Sequence, residues 1–154
     1  MERINYRESA PGAFKAMLGL ETHLHGSGLE QSLLHLIKLR VSQLNGCAYC
    51  IDMHSKDLRA AGETEQRLYL LDAWKESPFY TERERAALTW AEAVTRLTGG
   101  QVPDEVFEAA RKQFSETELA DLTLAVAAIN SWNRLNIAFC ATPGTYQPAA
   151  AQAR

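Results

Sequence analysis

The apolar residues of this chain recur at helical spacing, and no stretch alternates with the period of a strand. Phe14, Met17 and Leu18 follow Ser9-Ala10-Pro11, where Pro11 suits the first turn of a helix. Gly26-Ser27-Gly28 closes that helix; it is a turn, too short for a nucleotide-binding loop. Leu29 to Leu44 is apolar on more than one face, which predicts a central helix. A helix from about Cys47 to Ala61 follows the turn signal Asn45-Gly46 and stops at Gly62. A shorter one is expected from Thr64 to Trp74. Thr81-Glu82-Arg83-Glu84 and Ser115-Glu116-Thr117-Glu118 are capping boxes, in which the hydroxyl and the carboxylate satisfy free N–H groups reciprocally. The first opens a helix reaching about Leu97 and Gly99-Gly100, and the second a long apolar helix from Leu119 to about Phe139. Between them Pro103 starts a short helix through Phe114. The fold class is therefore all-α, a single-domain helical bundle over residues 1–143, with a loose Ala/Gln-rich C-terminal tail at 144–154.

A length of 154 residues supports one domain and one core. The net charge is −3 without a basic stripe, which argues against nucleic acid as a partner. No run of eighteen apolar residues is present, so no membrane span is expected. Charges at Glu2, Arg3, Arg7 and Glu8 stand where a signal peptide needs its apolar region, so the expected compartment is the cytoplasm. Thiols are kept reduced there, and a disulfide that forms is usually transient and catalytic. Three cysteines cannot build a disulfide framework, which agrees.

The chemistry concentrates in Asn45-Gly46-Cys47-Ala48-Tyr49-Cys50-Ile51-Asp52-Met53-His54. Cys47, Cys50 and His54 are neighbours on one helical face. A thiol at a helix start has a lowered pKa, because free N–H groups and the positive end of the helix dipole favour thiolate. Several uses fit the pair. A zinc site would need Cys47, Cys50, His54 and a remote ligand. A thioredoxin-type oxidoreductase expects a βαβ context that an all-α pattern lacks. A dithiol that reduces peroxides or exchanges disulfides fits a helical scaffold, and two plain core cysteines are the bland alternative.

The run from Leu39 to His54 resembles the alkyl hydroperoxidase D-type proteins of the carboxymuconolactone decarboxylase-like superfamily. Ala87-Leu88-Thr89-Trp90-Ala91-Glu92-Ala93 and Ile129-Asn130-Ser131-Trp132-Asn133-Arg134-Leu135-Asn136 are similar to that group as well, so the resemblance spans roughly Ile4 to Pro143. It implies an alkyl hydroperoxidase D-like helical bundle with the cysteines heading a core helix. It implies that Cys50 attacks a hydroperoxide, that Cys47 closes a disulfide on the resulting sulfenic acid, and that His54 helps deprotonate the attacking thiol. It also implies a dithiol or dihydrolipoyl-type reductant and a homo-oligomer, a trimer or a hexamer. No haem, flavin or nicotinamide signature is present, so no cofactor is expected and electrons would arrive by thiol exchange.

In one place the chain departs from the family pattern. The family's peroxidases carry a glutamate twelve residues before the first cysteine, feeding a proton relay, and here that position is His35. An imidazole can relay protons but lacks the fixed charge of a carboxylate. Tyr49 stands between the cysteines, where the family's relay can place a histidine; a packed ring is expected. Glu92 could bring a carboxylate to the site from another helix, and Asp57, three residues after His54, could orient that imidazole. His23 and His25 lack spacing with the cysteines, and Cys140 is expected as a buried lone thiol. Two rival functions remain open at this point. One is a thiol–disulfide sensor or exchange module without peroxidase turnover. The other is a decarboxylase-like enzyme, whose chemistry does not need the cysteine pair.

Overall fold

The stretch Gln31–Asn45, apolar on more than one face, becomes the helix around which the others pack. A computed structural model describes residues 2–149, with eight α-helices and no strand among them. They are α1 (Tyr6–Ser9), α2 (Pro11–His25), α3 (Gln31–Asn45), α4 (Ala48–Ala60), α5 (Glu65–Leu70), α6 (Glu82–Arg96), α7 (Asp104–Arg111) and α8 (Glu116–Ala138). The expected all-α bundle is what forms. Helix α3 packs against α4, α6 and α8. Its Leu33, Leu34, Ile37 and Val41 join the main core with Leu122, Val126 and Ile129 of α8. Its Leu36 and Leu39 face a second cluster with Leu58, Leu71, Trp74 and Leu88. Fully burying each such leucine or isoleucine contributes roughly 1.5–3 kcal/mol, so apolarity on two faces is what places α3 at the centre.

Both capping boxes form as expected. The Glu84 N–H donates to Thr81 Oγ1 at 3.2 Å while Glu84 Oε2 accepts from the Thr81 N–H at 2.8 Å. Ser115 and Glu118 repeat the pattern at 3.2 and 2.8 Å. Gly46 ends α3 at φ +70°, a conformation in which side-chain-bearing residues are strained. The Cys47 N–H then returns to the Ser42 carbonyl at 3.0 Å, and Cys47 becomes the N-cap of α4. This turn delivers the cysteine pair onto the bundle's core side.

Several boundaries differ from expectation. The one-turn helix α1 is too short to show a period and was not anticipated. The segment expected as one helix from Thr64 to Trp74 is α5 followed by a 3₁₀ turn, Leu71–Ala73. The short helix after Pro103 ends at Arg111 rather than Phe114. The start of the segment expected to be a loose tail is tied to α4. The Gly144 N–H donates to Asp52 at 3.0 Å, Lys56 Nζ to the Tyr146 carbonyl at 3.1 Å, and the Tyr146 hydroxyl to Asp57 Oδ1 at 2.6 Å. The rest of that expected tail, 150–154, lies outside the described residues. Among the described residues, no helix is long and apolar enough to cross a membrane.

Candidate functional site

Helix α4 buries Cys50, His54 and Leu58, one residue per turn, against the bundle. Cys47 and Cys50 are joined as a disulfide with Cα atoms 5.3 Å apart. The direct help from the helix start goes to Cys47, whose sulfur accepts the Cys50 N–H at 3.3 Å. The Cys50 sulfur instead accepts from the Asn136 side-chain amide at 3.3 Å. The Tyr6 hydroxyl donates to the other end of that amide at 3.0 Å and fixes its direction. Cys50, and not Cys47, lines a cleft of about 300 Å³, at the small end of ligand pockets. Phe14, Leu18, Met53 and Trp132 give the cleft apolar walls, and Arg7 and Tyr49 are also part of its lining. The Arg7 guanidinium donates to the Tyr49 hydroxyl at 3.0 Å.

His54 and His35 share the cleft lining with Cys50. Their Nδ1 atoms are 3.3 Å apart. His54 is 4% exposed, and its Nε2 has no hydrogen-bond partner among the described residues. Burial, then the Lys38 ammonium and the His35 ring, hold its pKa well below the usual imidazole value, so it is neutral. Burial also lowers His35, opposed by the Asp57 carboxylate and reinforced by Lys38. Asp57 Oδ2 is 3.8 Å from His35 Nδ1, so this carboxylate faces His35 rather than the expected His54. Lys38 is itself buried and ion-paired with Glu21, which also accepts from Trp132 Nε1 at 2.9 Å.

Of the five residues singled out in the sequence, the structure brings Cys47, Cys50, His54 and His35 together and separates Glu92. Glu92, 5% exposed, does not line the cleft. It accepts from Arg40 Nε at 2.9 Å, Trp74 Nε1 at 2.9 Å and Lys75 Nζ at 3.1 Å. Burial raises its pKa, but those bonds outweigh burial and hold it below the usual carboxylate range. The expectation that it supplies the site with a carboxylate is therefore corrected. A buried glutamate on α6 is held by the nearest cation, Arg40 of α3, and that ion pair fixes it elsewhere. Cys140 is also corrected. It is exposed, in the left-handed position (φ 55°) that ends α8. His23 pairs with Asp121 at 2.8 Å, apart from the cleft.

Asn136, Tyr6 and Tyr146 were not anticipated as site residues. Asn136 closes the conspicuous run Ile129 to Asn136, and a buried amide late in an apolar helix was the available signal. Tyr6 and Tyr146 carried no signal, because each reaches the site from outside the long helices.

The model of the family described as carboxymuconolactone decarboxylase matches residues 11–93, more than half of the chain and including the Cys47–Cys50 pair and His54. The chain belongs to the carboxymuconolactone decarboxylase family. Within it, the chain is 46% identical over 137 residues to the uncharacterized protein YdfG of Bacillus subtilis, covering 89% of this chain and 93% of that one. A solved structure from Agrobacterium tumefaciens, ATU0492, is of unknown function and is described as a candidate AhpD antioxidant defence protein. It matches with a TM-score of 0.90 and 46% identity, over 95% of this chain and 100% of that one. The debrominase Bmp8 shares the fold at a TM-score of 0.76 and 22% identity, over 90% of this chain and 74% of that one. The expected alkyl hydroperoxidase D-like fold is the observed one.

Proposed function

We propose that this chain is a thiol peroxidase that reduces alkyl hydroperoxides through the Cys47–Cys50 pair. One observation carries this reading. The sulfur that reaches the cleft, Cys50, meets an amide donor there, with a neutral imidazole one turn along the same helix whose Nε2 has no partner among the described residues. When the pair is reduced, the Cys50 thiol gives its proton to His54 Nε2. The thiolate attacks the peroxide O–O bond, forms Cys50 sulfenic acid and releases the alcohol, which takes up a proton. The Cys47 thiol then displaces water from the sulfenic acid and closes the disulfide. An external dithiol of the dihydrolipoyl class supplies two electrons and two protons to reopen it. Such donors belong to reducing compartments, in keeping with the cytoplasm. His35 stands beside His54 as the second member of a proton path, where the family's peroxidases place a glutamate.

The test is peroxide consumption with a dihydrolipoyl donor in Cys50→Ser and Cys47→Ser. Loss of turnover in both is expected. Unchanged turnover in both would remove the hypothesis. A single equivalent of peroxide consumed, with no further turnover on added dithiol, would favour the sensor reading. We also propose a homo-oligomer, trimeric or hexameric, supported by an open apolar groove between α2 and α8 lined by Met17, Leu20, Leu135 and Phe139. A clean monomer by light scattering would oppose it.

A further inference from the structure

The polar floor of the cleft is under-bonded in a way that a proton does not resolve. The His35 and His54 Nδ1 atoms stand 3.3 Å apart and can share one hydrogen. Asp57 Oδ2 is 3.8 Å from His35 Nδ1, beyond hydrogen-bond reach. One ligand atom from each of these three residues lies within 4.8 Å of the others. Two ligand atoms on a tetrahedral zinc ion, with bonds of about 2.0–2.1 Å, are themselves about 3.4 Å apart. The pair of imidazoles therefore already has the edge length of such a site; the carboxylate is a few tenths of an ångström outside it on the His35 side and closes onto His54 by a shift of about 1 Å.

From this the geometry points to a divalent metal site of the zinc class, held by His35 Nδ1, His54 Nδ1 and Asp57 Oδ2, with its fourth position toward the cleft. The ligand types favour zinc over magnesium or calcium, which prefer all-oxygen shells. Both imidazoles are kept neutral by burial, the state in which they ligate. Asp57 is oriented from behind by the Tyr146 hydroxyl at 2.6 Å, the second layer of support that metal-binding carboxylates have. The opposing charge is Lys38, whose ammonium lowers both imidazoles and is offset by its ion pair with Glu21. The neighbouring Lys56 is engaged with Asp52 at 2.9 Å.

Occupancy has a chemical consequence, which rests on the reading of His54 as the base for Cys50. A neutral imidazole that ligates through Nδ1 carries its proton on Nε2. That nitrogen then cannot accept the Cys50 proton. Zinc in this site switches the thiol chemistry off without touching either sulfur.

The binding is tested on the oxidised chain carrying Cys140→Ser, so that no free thiol competes. Zinc titrated against a chromogenic chelator should bind at one equivalent per chain. Affinity should fall at least tenfold in His35→Ala and also in Asp57→Asn, with unchanged helical circular dichroism. No binding, or binding undiminished by both substitutions, overturns the site. The switch is tested on the reduced chain by the rate of Cys50 alkylation with iodoacetamide. Slowing by zinc in the otherwise unaltered chain and not in His35→Ala supports it. Equal slowing in both overturns it, because zinc then acts on the thiols. Peroxide turnover in metal-free buffer is measured separately, so failure of the metal site and failure of the peroxidase reading are told apart.

Discussion

Helix α3 offers polar side chains to two places. His35 and Lys38, one turn apart, look into the cleft, whereas Arg40, about 140° round the helix from His35, meets Glu92. The two clusters follow different rules. Around Glu92 everything is paired: Arg40 bridges it to Asp72 at 2.5 Å, Trp74 donates its indole N–H, and Lys75 and Arg96 add charge from the rim. Around His54 the bonds are incomplete, with a bare Nε2, a long carboxylate contact and apolar walls. A saturated buried network resists change and holds α3, α6 and the turn after α5 together. An unsaturated one keeps a basic nitrogen available, at some cost in stability.

The largest expected effect separates the two clusters by rate. His54→Leu should slow peroxide-dependent Cys50 oxidation by about 10²–10⁴-fold, the span of a general base. Glu92→Gln should leave that rate within about twofold, a margin well under 1 kcal/mol on the barrier. Stopped-flow measurement of reduced protein against an alkyl hydroperoxide reads both. Equal losses in the two variants would erase the distinction.

Stability should show the reverse order. Glu92→Ala leaves Arg40, 6% exposed, with only the exposed Asp72 as carboxylate partner. Breaking a buried pair from one side costs about 3–5 kcal/mol, and the partial exposure of Lys75, Arg96 and Asp72 places the expected loss at the lower end. Urea unfolding measures it. His54→Leu should be near neutral above pH 7, since it removes an unsatisfied polar atom along with one hydrogen bond.

How much of this was legible before the structure follows from how locally each feature is encoded. Gly46, both capping boxes and the i,i+3/i,i+4 face of Cys47, Cys50 and His54 are set by residues within one or two turns, and each is found where expected. The register of α3 also held a usable signal for Glu92. Arg40 and His35 cannot share a face, so a glutamate on Arg40 cannot also serve His35. Which partner Glu92 takes depends on how α6 lies on α3, and spacing within either helix does not contain that. Asn136 reaches Cys50 from 86 residues away, and Tyr6 holds Asn136 across 130 residues. Such contacts are products of the bundle's assembly. Tyr146 lay in the stretch expected to be a loose tail, yet it anchors Asp57.

The pH dependence of stability sharpens the same contrast with a middle-sized effect. The folded His54 has a depressed pKa, whereas the unfolded residue titrates near about 6.5. Below that value the unfolded chain binds a proton that the folded chain refuses. Stability is therefore fully present above about pH 6.5 and falls as the pH drops below it, by up to about 1.4 kcal/mol per pH unit for this one group. Glu92, depressed as a carboxylate, loses its contribution only further down, below the unfolded carboxylate value of about 4.3. Urea midpoints between pH 7 and 5 should slope in the unaltered chain and lose part of that slope in His54→Leu. An unchanged slope would mean that the imidazole is protonated in the fold.

The smallest expected effect concerns Tyr146, which belongs to the cleft by contact and not by chemistry. Burial and the Asp57 hydrogen bond raise its pKa, so the phenol remains a donor throughout the working range. Tyr146→Phe removes one hydrogen bond to a charged acceptor, about 1.5 kcal/mol or somewhat more, discounted here because the residue is only partly buried. Overall stability should thus fall by about 1 kcal/mol. The telling readout is His35. With Tyr146 gone, Asp57 is freed to approach His35, and the imidazolium form of His35 gains a partner. Its pKa, followed by NMR of the ring protons, should rise, while that of His54 should stay low because burial dominates it. If both imidazoles move together, the cleft's two histidines titrate as one unit; if neither moves, Asp57 is held by something other than Tyr146.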